Sequence, residues 1–191
     1  MSTRKMVLFI AMSLDGFIAD EKGEVDWLKI VDRPREDYGY QAFMESVDTV
    51  ILGRKTYDKV LSFAVPFPHS HKKCYVLSRQ RTGSDKNVEY YKGEVKDLLG
   101  KIRKEEGKDI FCDGGADTID QLIAGDLIDR YILSIVPVLL GNGLPLFSKN
   151  RTFQSLQLKK SISFESGLVQ LEYERFSDNE GNLSNVNTPA S

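Results

Sequence analysis

The chain is poor in the residues that build metal centres and cross-linked scaffolds. Its 191 residues include 2 cysteines and 2 histidines. That excludes a disulfide framework and leaves no zinc-ligand spacing. The His-x-Glu and Cys-x-x-Cys pair of zinc deaminases is missing. A Gly-x-Gly-x-x-Gly run is also missing, which gives no support to a Rossmann reading. No apolar run is long enough to span a bilayer. The N-terminus lacks an apolar leader with a small-residue cleavage site, so the expected location is cytoplasmic. Positive charge is not in excess. The formal net charge is −2, which leaves no electrostatic footprint for nucleic acid. Neither a nucleic-acid nor a membrane partner is expected. There is no internal repeat and no interior linker.

What remains is ordinary globular composition, 41% hydrophobic and 28% charged, enough for one domain with a substantial core. The expected domain covers residues 1–176. From Ser177 the chain is polar and aperiodic, and a disordered tail is expected over 177–191. Cys74 and Cys112 sit in strand-like contexts and read as buried thiols. His69 and His71 lie in Pro66-Phe-Pro-His-Ser-His71, which is turn chemistry, and read as solvated loop residues.

Organisation centres on Ile110-Phe-Cys-Asp-Gly-Gly-Ala-Asp-Thr-Ile-Asp-Gln-Leu-Ile123. It reads as a short buried strand, a glycine turn and a helix with Ile119, Leu122 and Ile123 on one face. Gly125 stands where a helix C′ glycine would. Met6 to Met12 is apolar throughout, the pattern of a strand covered on both faces and therefore central. A helix is expected from about Glu36 to Ser46. Strands follow at Val47–Leu52, Cys74–Leu77, Val88–Tyr91 and Arg130–Pro137. Val95, Leu98, Leu99 and Ile102 recur at helical spacing. Phe153–Ile162 and Gly167–Phe176 alternate and read as an antiparallel hairpin. The fold class is α/β, with a central mostly parallel sheet in three layers and a C-terminal antiparallel hairpin at one edge.

Ligands bind such sheets at the C-terminal ends of the strands. Three of those ends carry anion-binding groups: Gly53-Arg54-Lys55-Thr56, Leu77-Ser78-Arg79, and Gly114-Gly115-Ala116-Asp117-Thr118. Arginine, lysine, hydroxyls and helix N-terminal amides together suit a polyanionic cofactor, with NADP(H) favoured by its extra phosphate.

Ala11-Met-Ser-Leu-Asp-Gly-Phe-Ile18, Asp26-Trp27, Ile51-Leu-Gly-Arg-Lys-Thr-Tyr57, Val76-Leu-Ser-Arg79, Asp113-Gly-Gly-Ala116 and Pro137-Val-Leu-Leu-Gly-Asn-Gly-Leu-Pro-Leu-Phe147 carry a resemblance. In that order they resemble the dihydrofolate reductase superfamily. The nearer likeness is to its branch containing the C-terminal reductase domain of the bifunctional riboflavin-biosynthesis deaminase/reductase. The match runs over about residues 5 to 176. It implies a dihydrofolate-reductase-like fold, a homodimer and NADPH as cofactor. Gly53, Arg54, Lys55 and Thr56 match the phosphate-binding helix start. Leu77, Ser78 and Arg79 match the segment flanking the adenine and 2′-phosphate. Gly114 and Gly115 match a pair that the family joins by a cis peptide bond, with Ala116, Asp117 and Thr118 following. Ala11 and Ile18 match positions lining the nicotinamide, and Trp27 a tryptophan near the substrate. The carboxylate that assists protonation in dihydrofolate reductases falls at Asp37 or Gly39. The implied reaction is hydride transfer from NADPH to a pyrimidine- or pterin-like substrate. The nearest activity is 5-amino-6-(5-phosphoribosylamino)uracil reductase. The alternatives are dihydrofolate reductase or a non-catalytic nucleotide-binding protein. Asp26, Trp27 and Asp37 are the side chains expected around the substrate, between the loop Ser13–Leu28 and the helix after Arg35.

Overall fold

A computed structural model of the chain describes residues 4–63, 65–148 and 153–176; the expected tail over 177–191 lies outside them. The elements run β1 (Met6–Ser13), β2 (Phe17–Ala19), a 3-10 turn (Asp26–Val31), α1 (Tyr40–Ser46), β3 (Val47–Gly53), α2 (Arg54–Ser62), β4 (Lys73–Leu77) and β5 (Gly83–Ser84). They continue with β6 (Glu89–Tyr91), α3 (Val95–Ile102), β7 (Asp109–Cys112), α4 (Ala116–Ala124), β8 (Arg130–Val136), β9 (Leu144–Pro145), β10 (Leu156–Ser163) and β11 (Val169–Arg175).

Among the described residues, nine strands form one sheet in the order β10-β11-β8-β1-β7-β3-β4-β6-β5. The block from β8 to β6 is parallel. The hairpin β10–β11 adds antiparallel to β8, and β5 adds antiparallel to β6. β1 is flanked by β8 and β7, so the continuously apolar strand is interior.

Alternate residues of β1 face opposite layers. Met6 and Leu8 join a core with α3 and α4, whereas Val7 joins one with α1 and α2. The chain moves toward β6 through α1 and α2 on one face. It returns to β7 and β8 through α3 and α4 on the other, as right-handed crossovers require. The helical spacing of α3 is used in full. Val95, Leu98, Leu99 and Ile102 are at most 3% exposed, and each such side chain contributes about 1.5–3 kcal/mol on burial. Cys74 and Cys112 are buried free thiols, and burial pushes both up to about 12.

Four local readings need correction. The first helix starts at Tyr40 rather than Glu36, because Arg35, Tyr38 and Gly39 all have positive φ (70°, 54° and 78°), which no helix tolerates. The left-handed residue after α4 is Asp126 (φ 50°), while Gly125 has φ −83°. The Gly114–Gly115 bond is trans, since no described peptide bond is cis; the turn comes instead from Gly114 at φ 96°. His69 is 2% exposed and not solvated, because its ring packs edge-on to Phe67 and Phe111.

The N-terminal edge of the parallel block is closed by one buried arginine. Arg4 is 5% exposed. It donates to the Lys108 carbonyl at 2.6 Å, the Ile102 carbonyl at 3.4 Å and Thr49 Oγ1 at 2.7 Å. It also pairs with Asp48. The opposite edge is where the functional groups gather.

Candidate active site

Two helices begin side by side at that C-terminal edge. Leu77 is level with Gly53 across β3–β4, and Ile51 with Cys112 across β3–β7. The turns after β3, β4 and β7 are therefore neighbours. The Gly53 amide donates to the Gly114 carbonyl (2.8 Å), and the Gly115 amide to Thr56 Oγ1 (2.9 Å). A Cβ on Gly53 would lie 2.9 Å from Thr118 Oγ1 and 3.6 Å from the Gly115 nitrogen. Glycine at 53 is what lets the starts of α2 and α4 approach. Neither helix has a side-chain cap; in α4 the Thr118 amide turns back to the Gly115 carbonyl at 2.9 Å, which leaves the amides of Ala116 and Asp117 to another acceptor.

The charges around these helix starts are unevenly engaged. Arg54 pairs with Asp58 at 2.9 Å. Asp58 also takes Arg81 at 2.6 and 3.2 Å, and Arg81 lies over the Tyr90 ring. Lys55 and Arg79 are exposed, with no hydrogen bond or ion pair among the described residues. Ser78 is buried, and its Oγ accepts from the amides of Gln80 and Arg81. Leu77 packs into the α3–α4 core. Asp117 is exposed in the first turn of α4, where its charge opposes an anion; Thr118 is buried and Ala116 opens the helix. Arg81 and Asp58 escaped the reading of the sequence. The signal for Asp58 was its i,i+4 spacing from Arg54.

Beside this edge lies a cleft of about 400 Å³. Phe9 and Ala11 of β1 and Ser134 and Val136 of β8 line it, with Leu28 and Val31 of the 3-10 turn. Asp37, Tyr38 and Tyr40 complete the wall. The cleft thus lies between the loop that follows β1 and the segment after Arg35. Tyr38 donates its hydroxyl to the Val31 carbonyl, and Gln170 ties the Tyr38 carbonyl (3.0 Å) to Ser134 Oγ (3.1 Å). Tyr40 is pushed up to about 12 by burial and then by the Asp113 carboxylate. Ile18 is not at the cleft and packs into the α3–α4 core.

The three expected substrate residues part company here. Trp27 packs against the cluster of Val31, Val136 and Leu168, and its indole N–H is buried without an acceptor among the described residues. Asp26 is 79% exposed and bonds Lys29 at 2.5 Å, a surface pair outside the cleft lining. Asp37 lines the cleft, and its carboxylate accepts from the amides of Gly39 and Gln41, both at 2.9 Å. Those two bonds, Gln41 first, hold its carboxyl below the ordinary carboxylate value. Asp37 is therefore the cap of α1 and an ionised acceptor, not a ready proton donor.

A depressed folded-state pKa gives stability that is present above the unfolded value and lost as pH falls through the folded one. Asp37→Ala should lower the melting temperature at neutral pH, with the difference shrinking as pH drops through the carboxylate range. Thermal melts of both proteins across that range check it; a difference independent of pH would remove the cap as its cause.

The chain belongs to the family described as the RibD C-terminal domain, whose model matches residues 4–170. It is 40% identical over 177 residues to the protein YwjB of Bacillus subtilis (strain 168), covering 90% of this chain and 98% of that one. A crystal structure named as a riboflavin biosynthesis protein, from Shewanella sp. PV-4, superposes with a TM-score of 0.82 at 38% identity, over 91% of this chain and 99% of that one. The dihydrofolate reductase of Enterococcus faecalis, solved with NADP(H), has a TM-score of 0.65 at 16% identity, over 91% and 97% of the two chains. The fold is that of dihydrofolate reductases.

Proposed function

We propose that the chain is an NADPH-dependent reductase, passing hydride to an electron-poor C=N or C=O carbon of a pyrimidine- or pterin-like substrate. The nearest activity is reduction of 5-amino-6-(5-phosphoribosylamino)uracil. The observation carrying this is the pair of uncapped helix starts, at Gly53 and Gly115, joined through the glycine turn and flanked by Lys55 and Arg79. Those residues fit a pyridine dinucleotide: amides for the diphosphate, two unengaged cations for a further phosphate. The family and the NADP(H) complex of a protein with this fold support the same reading.

When bound, the nicotinamide supplies the hydride. The chain's own part is placement. Ala11, on the interior strand, and Ser134 beside it form a rigid floor. Leu28 and Val31 line the loop side and exclude water, and Trp27 packs against the cluster that contains Val31 and Val136. Asp37, ionised at neutral pH, accepts N–H donors of an aminopyrimidine and so orients the ring. The test is NADPH oxidation with a panel of ribosylaminopyrimidines and pterins. Turnover of an aminopyrimidine supports the proposal; turnover of dihydrofolate alone would replace it.

Cofactor choice gives a second check. Arg79→Ala should weaken NADPH by about 1.5–3 kcal/mol, the range of a charge-assisted hydrogen bond, and leave NADH unchanged. Calorimetry on both nucleotides measures it, and equal affinities in the unsubstituted protein would sink the preference.

A further inference from the structure

We propose that His69 is a positioning residue of the nucleotide site: its imidazole holds the Asp113 carboxylate and, with it, the start of the Gly114–Gly115 turn. The proposal rests on the reductase reading for its consequence and on geometry for its substance.

His69 lies in the loop after α2 and is 2% exposed. Its ring centroid is 5.5 Å from Phe67 and 6.1 Å from Phe111, at near-perpendicular angles. Its backbone carbonyl accepts from the Cys74 thiol at 3.4 Å. In these surroundings the ring has one polar partner. Nε2 lies 2.7 Å from Asp113 Oδ2, while Nδ1 is buried with no partner. Donation to a carboxylate puts the proton on Nε2 and leaves a bare lone pair on Nδ1. An unpartnered buried acceptor weakens the fold, so stability alone would favour an apolar side chain at 69. What that side chain could not do is hold Asp113.

Asp113 directly follows β7, with its amide on the Ile51 carbonyl at 3.1 Å. The next two residues are the turn. Gly114 and Gly115 are tied to Gly53 and Thr56, at the start of α2. Three consecutive residues are therefore fixed, and His69 supplies the side-chain bond on the first. Gly114 needs that support, because φ 96° is free for glycine and nothing packs within 4 Å of its Cβ position. The Asp113 charge also reaches the cleft, where it helps hold the Tyr40 hydroxyl proton. The pair thus stands between the two halves of the site.

The test compares His69→Gln with His69→Asn. Glutamine can place an N–H donor where Nε2 lies; asparagine reaches only the Nδ1 position. Two readouts are taken, amide exchange of Gly115 without nucleotide and NADPH affinity. In His69→Asn we expect Gly115 exchange about tenfold faster or more and NADPH about tenfold weaker. His69→Gln should restore both to within about threefold. Unchanged Gly115 exchange in His69→Asn, or no recovery in His69→Gln, overturns the proposal. Should either variant fail to fold, nitrogen NMR of His69 in the unsubstituted protein decides. An Nε2–H tautomer supports the assignment and an Nδ1–H tautomer ends it. A native protein with no affinity for NADPH would end the reductase reading, while the exchange data would still judge His69.

Discussion

Replacing Gly115 with alanine should abolish NADPH binding and leave the sheet folded. An added Cβ would lie 2.9 Å from Thr56 Oγ1, its one close neighbour. That oxygen accepts the Gly115 amide proton, so the methyl group displaces the hydroxyl from its bond. Thr56 can rotate, which keeps the loss of stability near that of one hydrogen bond, about 1 kcal/mol. The site suffers more. The same displacement parts the α4 start from the α2 start, and the methyl sits where a diphosphate must approach backbone. A loss of affinity of about a hundredfold or more is expected, which is about 2.7 kcal/mol. Calorimetry with NADPH, beside a thermal melt, separates the two effects. Unchanged affinity would show the glycine pair to be only a turn.

The second large effect is at the other end of the strands. Arg4→Ala should cost about 3 kcal/mol, the scale for a buried hydrogen-bonded charge with several acceptors left behind. The figure is held at the low end because Asp48 is 40% exposed and water takes over part of its charge. Gly107 shows how closely this clamp is built: a Cβ there would meet Asp48 Oδ2 at 2.5 Å and Arg4 Cζ at 2.8 Å. For a chain of this length the melting temperature should fall by about 6–12 °C. NADPH affinity, measured well below the transition, should not move. A shift in affinity equal to that of Gly115→Ala would mean that the two edges are not independent.

The layers were legible wherever one strand or helix carried its own pattern. Met6–Met12 was apolar at every position and is interior. Val95 to Ile102 had a full helical stripe and buries all of it. The three strand ends were legible as neighbours, since parallel strands bring the turns after β3, β4 and β7 to one edge. What was illegible depended on partners far along the chain. His69 sits among prolines and reads as turn, but its burial comes from Phe111 and Asp113, the latter 44 positions away. The left-handed Arg35 and Tyr38 carry no glycine signal, so the residue pattern alone puts the start of α1 too early. β2 and β9 pair with each other, yet neither is long enough to show a period. Asp26 and Asp37 looked alike as carboxylates near a pocket. Only Asp37 has the backbone amides of Gly39 and Gln41 to turn it toward a defined role.

The position of β1 has a consequence for how the protein is made. β1 is made before its sheet neighbours β7 and β8, whose residues lie between Asp109 and Val136. Until that part of the chain has been synthesised, Met6 to Met12 has neither neighbour and remains an apolar segment with open edges. Parallel pairing over such separations is slow and exposed to association. The nascent segment from β1 to β7 is therefore where chaperones should bind, and their release should follow emergence of β8.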